Sequence, residues 1–196
     1  MNIVYFGSGA FGLPTLERLV ARHVVRAIVT QPDRPAGRGG KLAATPVAQW
    51  AAAHAPGVPV FKPEKVNTPE VVDQIRAFPS DAWVVIAFGQ KLSQRLLADR
   101  FAINLHASLL PRWRGAAPIT AAILAGDSVT GNSVITLADR MDAGMVLAQT
   151  SPPIEIAPTI TAGELHDLLA ADGPRLIVEI APTITAGELH DLLAAD

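Results

Sequence analysis

The chain has 196 residues, of which 49% are hydrophobic, and a formal net charge of -2 at pH 7. This length suits one globular domain with a sizeable core, and the net charge argues against binding of nucleic acid through a global basic field. The sequence has no cysteine, which excludes disulfides, thiolate metal ligands and a cysteine nucleophile. No apolar run is long enough to span a membrane and the chain starts on a predicted strand, so we expect a cytoplasmic protein.

The first 33 residues predict a strand, a glycine turn, a helix and a second strand. Residues 2–6 are an apolar run typical of a buried strand, and residues 24–30 predict the next one. Between them, Gly7 to Gly12 match G-x-G-x-x-G ahead of an amphipathic segment, which is the context of a dinucleotide-binding fingerprint. Asp33 lies near where such proteins carry a ribose-binding acid. A nicotinamide-dependent oxidoreductase is therefore one hypothesis. The other is that the glycines serve a tight turn with close packing of the helix on the strand.

Residues 31–41 predict a glycine-rich, basic and mobile loop. Asp33 lies past the strand and between two prolines, which is a poor position for holding a ribose. Arg38 and Lys41 follow among glycines. A cationic loop of this kind is usually only solvated, but it can also become ordered against a phosphate backbone on binding.

The rest of the chain alternates helical and strand patterns, as an α/β protein requires. Helices are predicted over residues 46–55, 69–78 and 118–124. Strands are predicted over residues 58–61 and 82–88, and a hairpin over residues 131–137 and 144–150.

Residues 101–115 carry the strongest functional signal. An apolar strand start at 101–103 is followed by Asn104 and His106, which are two residues apart and therefore point to the same side of an extended strand. A carboxamide and an imidazole at the carboxyl end of a strand lie where open α/β sheets bind their ligands. On residue types alone, a turn-forming Asn and a packing His explain the pair as well.

The string from Asn104 to Pro111, NLHASLLP, resembles the active-site signature of the folate-dependent formyltransferases. Its continuation from Arg112 to Ile119, RWRGAAPI, is similar to the methionyl-tRNA formyltransferase version, and so are the glycine turn and the PDRPAGRG loop. The resemblance implies a doubly wound, mostly parallel, Rossmann-like sheet. It also implies formyl transfer from 10-formyltetrahydrofolate to the α-amine of methionyl initiator tRNA. We expect a monomer, and we expect no metal site because the five histidines show no ligand spacing and the chain has no thiolates.

The resemblance also implies roles for individual residues. Asn104, His106 and Asp142 correspond to the catalytic residues, with Asp142 favoured over Asp139 because Asp142-Ala143-Gly144 aligns with the family's aspartate loop. Ser108 is expected to form hydrogen bonds in a turn rather than to act as a nucleophile. The folate site is expected to involve Phe88, Gly89, Gln90, Leu92, Ser108, Leu109, Leu110 and Pro111. Arg38, Lys41 and Arg114 are expected to contact the tRNA.

The end of the chain contains a duplication. Residues 155–172 and 179–196 are identical, and each copy has a capping box, Thr161 with Glu164 and Thr185 with Glu188, before a leucine-rich helix. We expect a catalytic domain over residues 1–177 and a tail over residues 178–196 that copies residues 154–172 and has no function of its own. The barrel-like tRNA-binding domain that the resemblance implies is expected to be absent.

Two further hypotheses remain open. Another formyltransferase, acting on glycinamide ribonucleotide or a nucleotide-sugar amine, would share Asn104, His106 and Asp142 but should lack the basic loop and the RWRGAAPI string. An oxidoreductase or cofactor-binding module would bind NAD or NADP instead of folate.

Overall fold

The computed structural model describes residues 1–37 and 40–180, without the side chains of residues 178–180. The chain divides into two compact units, Met1–Asn104 and the residues from Leu105 onward. In the part of the chain that is described, no helix is long and apolar enough to cross a membrane.

The first unit is built on parallel strands. These are β1 (Asn2–Gly7), β2 (Val24–Val29), β5 (Val60–Phe61), β6 (Ala82–Ile86) and β7 (Ala102–His106), the last of which runs into the second unit. Strand β1 pairs in parallel with β2 on one side and with β6 on the other, and the chain extends outward to β5 and to β7. Over the described residues the full sheet has seven strands in the order β10-β9-β7-β6-β1-β2-β5, where β9 is Ser133–Thr136 and β10 is Val146–Gln149. Winding in both directions from a central strand confirms the predicted doubly wound, mostly parallel sheet.

Among its described residues, the first unit has four α-helices and a short 3-10 helix at Ala10–Gly12. The α-helices are α1 (Leu13–Arg22), α2 (Pro46–His54), α3 (Pro69–Arg76) and the short α4 (Gln94–Leu97), which was not predicted. Helix α2 begins as its sequence requires, because Thr45 accepts a hydrogen bond from the Ala48 N–H and proline occupies the first helical position. The core includes Phe6 and Trp83, both fully buried, with ring centroids 5.1 Å apart.

The basic segment after β2 is more regular than expected. Strands β3 (Arg34–Ala36) and β4 (Lys41–Ala43) pair as an antiparallel hairpin, so the prediction of an irregular loop was wrong. Gly37 and Gly40 have φ angles of 68° and 60°, a conformation that glycine adopts without strain and that lets the chain reverse direction here. Both strands are exposed along their length.

The second unit contains helix α5 (Pro118–Leu124), helix α6 (Ala162–Ile180) and two antiparallel strand pairs. Strands β9 (Ser133–Thr136) and β10 (Val146–Gln149) form the predicted hairpin. Strands β8 (Val129–Thr130) and β11 (Ile154–Glu155) form a small sheet that was not predicted.

Helix α6 contains most of the first copy of the repeat. Its predicted capping box is confirmed, because the Thr161 N–H donates to Glu164 Oε2 over 2.8 Å and the Glu164 N–H donates to Thr161 Oγ1 over 3.2 Å. Asp172, the last residue of that copy, accepts a hydrogen bond from Thr150 Oγ1. His166 is half-buried and lies 2.8 Å from Asp167. The second capping box, Thr185 with Glu188, lies outside the described residues.

Candidate active site

Strand β7 carries the two side chains on which the functional hypothesis depends. Asn104 pairs in register with Val85 of β6 and is half-buried, whereas His106 is only 6% exposed. The two are separated by one residue in a continuous strand, so their side chains leave the same face. The placement at the carboxyl end of a strand is the one expected from the sequence.

Two groups hold the His106 ring. Its Nε2 lies 2.8 Å from the carbonyl oxygen of Trp113. A carbonyl can only accept, so Nε2 carries the hydrogen in this contact. Its Nδ1 lies 3.6 Å from Asp142 Oδ2, which is close enough for ion pairing if the ring is protonated but too long for a hydrogen bond. The side chains of His106 and Asp142 are 7% and 12% exposed, so this pair is largely shielded from water.

The carboxylate of Asp142 has a second attachment. Its Oδ2 accepts a hydrogen bond of 2.8 Å from the backbone N–H of Gly115. Asp142 itself has a φ of 51°, a left-handed conformation that is unusual for a residue other than glycine. Asp139, the alternative considered from the sequence, is exposed. The structure thus places Asp142 beside His106, as expected from the sequence, and the Gly115 N–H holds the Asp142 carboxylate there.

The loop after His106 is tied together internally. Ser108 is fully buried and its hydroxyl donates to the carbonyl of Arg112 over 2.6 Å. The Leu110 N–H donates to Ser133 Oγ, and the Leu110 carbonyl accepts from Gln149 Nε2, both over 2.9 Å. The hydroxyl of Ser108 and the backbone of Leu110 are therefore committed to loop structure. Leu109 is half-buried and Pro111 is exposed.

The residues after β6, expected to contact folate, form a similar rigid segment in the first unit. Phe88 and Leu92 are 2% and 5% exposed, and Gly89 is exposed with a φ of 89°. Both ends of the Gln90 carboxamide bind backbone, since its Oε1 accepts from the Val66 N–H and its Nε2 donates to a carbonyl of the neighbouring loop. The segment offers exposed backbone at Gly89, while the Gln90 side chain stabilises its shape.

The residues expected to contact tRNA are only partly described. Lys41 and Arg114 are exposed, as a phosphate contact requires, and Arg38 lies outside the described residues. Over the described part of the chain, no group of three or more His, Asp and Glu side chains is arranged to hold a metal ion.

Sequence reasoning overlooked Asp127, which the sequence pattern identified only as part of the stop after helix α5. Its carboxylate accepts hydrogen bonds from Trp113 Nε1 over 2.6 Å and from Arg112 Nη2 over 2.8 Å. A buried acid in a Gly-Asp turn looks like an ordinary turn residue in sequence, so only the three-dimensional contact reveals it.

The nicotinamide hypothesis meets two obstacles in the first unit. A dinucleotide would lie between β1 and β6, but Ser8 spans that crevice through hydrogen bonds from its N–H to the Ala87 carbonyl and from its hydroxyl to the Phe88 carbonyl. Asp33, the candidate ribose ligand, forms an ion pair of 2.6 Å with Lys62. The glycine motif therefore serves the turn and its packing.

Comparison with known proteins places the chain. The profile of the formyl transferase family matches residues 1–181. The chain belongs to this family. It is 47% identical over 181 residues to the methionyl-tRNA formyltransferase of Symbiobacterium thermophilum, covering 91% of this chain and 54% of the relative. It is 48% identical over 181 residues to that of Thiobacillus denitrificans, covering 91% and 57%. The chain thus spans about half the length of the curated relatives it matches.

Solved structures agree on the fold. The phosphoribosylglycinamide formyltransferase of Streptococcus pneumoniae superposes with a TM-score of 0.74 at 18% identity, covering 92% of this chain and 97% of that one. The corresponding protein of Bacillus halodurans superposes with a TM-score of 0.71 at 24% identity, covering 90% and 91%. These superpositions support the formyltransferase fold alone and not the choice of the molecule that accepts the formyl group.

Proposed function

We propose that this chain carries the catalytic site of a methionyl-tRNA formyltransferase and moves a formyl group from 10-formyltetrahydrofolate to the α-amine of methionyl initiator tRNA. The observation that carries the proposal is the shielded His106–Asp142 pair, whose histidine lies on the strand that also carries Asn104. Relatives 47% and 48% identical over most of this chain have that name, and they support the choice of acceptor.

The reaction needs polar groups of these types. The amine nitrogen attacks the formyl carbon, the bond from that carbon to N10 of the folate breaks, and one proton moves from the amine to N10. The carbonyl oxygen becomes negatively charged on the way. Asn104 donates an N–H to that oxygen without changing its own protonation state. His106 takes or gives the proton, and Asp142 stabilises its charged form.

The folate would be held mainly by apolar surface and backbone groups. The exposed Gly89 brings its backbone to the surface, which suits a flat heteroaromatic ring that needs a few fixed polar groups, while the buried Phe88 and Leu92 would support this segment from the core. Because the Gln90 side chain is fully engaged, its contribution to binding would come from its backbone. The loop from Ser108 to Pro111 would contribute in the same way, through Leu109 and Pro111 rather than through the committed Ser108 hydroxyl.

Binding of tRNA would depend on cations. We assign phosphate contacts to Arg38, Lys41 and Arg114, and we expect a monomer in the cytoplasm. With so few contacts, affinity should be weak, and it should fall as salt rises because each neutralised phosphate releases a counterion. Filter binding of the tRNA between 50 and 200 mM salt, which are roughly the limits over which such losses develop, tests this. An affinity that is constant over this range would contradict it.

A formyl-transfer assay tests the proposal as a whole. Purified chain, 10-formyltetrahydrofolate and methionyl initiator tRNA are mixed at low salt, with glycinamide ribonucleotide as the competing acceptor. Release of tetrahydrofolate should require the charged tRNA and should fall on the order of 100-fold in Asn104→Ala, the usual loss for one oxyanion donor. Turnover with glycinamide ribonucleotide instead of tRNA would reassign the acceptor. Tight binding of NAD with no folate binding would overturn the proposal.

A further inference from the structure

Asp127 is placed where a carboxylate can control the loop beside His106. It follows helix α5, and its backbone N–H donates to the Ala122 carbonyl over 3.0 Å, which fixes it to that helix. Its side chain is 12% exposed and uses both oxygens, one for Trp113 Nε1 and one for Arg112 Nη2. One charge-assisted hydrogen bond in a mostly dry position holds the indole, and the other holds the Arg112 side chain.

The residue that Asp127 holds is in a conformation it would not adopt alone. Trp113 has a φ of 57°, a region that costs a side chain other than glycine on the order of 1 kcal/mol or more. Its carbonyl is the acceptor that meets His106 Nε2 at 2.8 Å. Without the hold on the indole, Trp113 is free to return to a relaxed conformation, and its carbonyl then turns away from the imidazole.

We propose that Asp127 is a positioning residue that fixes the tautomer of His106 through Trp113. With the Trp113 carbonyl on Nε2, the neutral ring carries its hydrogen on Nε2 and presents the lone pair of Nδ1 toward Asp142. The 3.6 Å separation leaves that lone pair free of a hydrogen bond to Asp142 and ready to accept a proton. In the other tautomer the Nε2 lone pair would face the carbonyl oxygen of Trp113, which has no hydrogen to donate to it.

The catalytic consequence of this inference rests on the proposed function, but the tautomer does not. The direct test is nitrogen NMR of the chain labelled with ¹⁵N histidine, in which a protonated and an unprotonated ring nitrogen have different shifts and couplings. His106→Gln identifies the signals of His106 among the five histidines of the chain. The unaltered chain should show His106 with its hydrogen on Nε2 only.

Four variants separate the contacts of Asp127. Asp127→Ala and Trp113→Phe both break the bond to the indole, the second without altering Asp127, and both should give a mixed tautomer. Asp127→Asn keeps an oxygen for the indole N–H and should retain the Nε2 form. Arg112→Gln removes the other partner of Asp127 and should also retain it. A pure Nε2 tautomer in Asp127→Ala and Trp113→Phe would overturn the inference.

The kinetic test compares Asp127→Ala with Asp127→Asn. Loss of an outer partner that orients a functional histidine commonly costs on the order of 10- to 100-fold, as outer-shell partners in metal sites do. We expect that loss in kcat for the alanine variant and a recovery to within a few-fold of the unaltered chain for the asparagine variant. Equal losses in both variants would contradict the role of the indole contact. If the unaltered chain transfers no formyl group, the proposed function fails while the NMR result still decides on the tautomer.

Discussion

The packing of the G-x-G-x-x-G motif against Tyr5 and Ile86 can be tested quantitatively. Tyr5 is completely buried, and its hydroxyl donates to the carbonyl of Gly12 over 3.1 Å. Burial raises the pKa of this phenol, so the hydroxyl stays protonated and keeps donating. A Cβ at position 12 would overlap that hydroxyl oxygen and would also lie 3.2 Å from the side chain of Ile86. The substitution to make is therefore Gly12→Ala, alone and combined with Tyr5→Phe.

The expected changes in the free energy of unfolding follow from which atom the new Cβ would overlap. Gly12→Ala forces a buried ring to move and should lower the free energy of unfolding by about 3 kcal/mol, at the upper end of ordinary overpacking. Tyr5→Phe loses one buried hydrogen bond and should lower it by about 1 kcal/mol. The double variant has no hydroxyl to collide with, so only the 3.2 Å contact with Ile86 remains. It should be within about 1 kcal/mol of Tyr5→Phe, which means a favourable coupling of about 2 kcal/mol.

Urea unfolding followed by the fluorescence of the buried Trp83 measures this cycle, and two other glycines are its controls. Gly9 has φ and ψ of -78° and 163°, and its Cβ would lie 3.7 Å from that of Ala87, so Gly9→Ala should change the free energy of unfolding by less than about 0.5 kcal/mol. At Gly7 a Cβ would lie 2.6 Å from Tyr5 Cε1 and 2.8 Å from the backbone oxygen of Ile86, and both atoms remain in Tyr5→Phe, so that substitution should not restore the stability lost in Gly7→Ala. Additive effects of Gly12→Ala and Tyr5→Phe would refute the packing explanation of the motif.

Three further predictions concern the rest of the chain. Gly144→Ala should lower the free energy of unfolding by about 3 kcal/mol because its Cβ would overlap the backbone of strand β9. Gly163→Ala, whose Cβ would have no neighbour closer than 3.9 Å, should raise it by about 0.5 kcal/mol. Urea unfolding of the two variants measures both changes. The pKa of His23 is lowered, first by burial and then by the positive charges of the N-terminus and Arg22, so the unfolded chain binds the proton more readily and stability should fall as pH drops below about 6.5. Titration of thermal stability should show a smaller fall in His23→Gln. Finally, Asp142→Asn should reduce kcat of formyl transfer on the order of 10- to 100-fold, and Asp139→Asn should not; equal losses would remove Asp142 from the mechanism.

Most of the scaffold was predictable because its signals are local. An apolar run of four residues, 3–6, before a glycine turn leaves few alternatives to a buried strand, and β1 forms where residues 2–6 predict it. Helices beginning at Pro46, Pro69 and Pro118 start where the sequence places them, since proline suits the first turn. The hairpin of β3 and β4 was missed because its strands are three residues long and exposed on all sides, so no hydrophobic alternation marks them.

The placement of the candidate residues could be predicted from the sequence, but the contacts that hold them could not. Alternation along one strand is enough to put Asn104 and His106 on the same face, and the family's aspartate loop identifies Asp142. The contacts that orient these groups are made by backbone N–H and C=O groups, which nearly every residue has, so the residue type does not reveal them. Nothing in the letters of a sequence shows that the Trp113 carbonyl faces an imidazole or that the Gly115 N–H meets a carboxylate.

Those backbone contacts tie the residues that follow His106 to the candidate site. The loop must turn back so that its carbonyl at position 113 and its N–H at position 115 reach His106 and Asp142, and that path requires left-handed residues at 113 and 115, with φ angles of 57° and 102°. Glycine accepts such an angle without strain, whereas tryptophan needs a partner to hold it. The hydrogen bond from the indole to Asp127 supplies that partner. A smaller side chain at position 113 would lack this bond. The position therefore needs a large side chain with an N–H group, as Trp113 has, to keep its backbone carbonyl on His106.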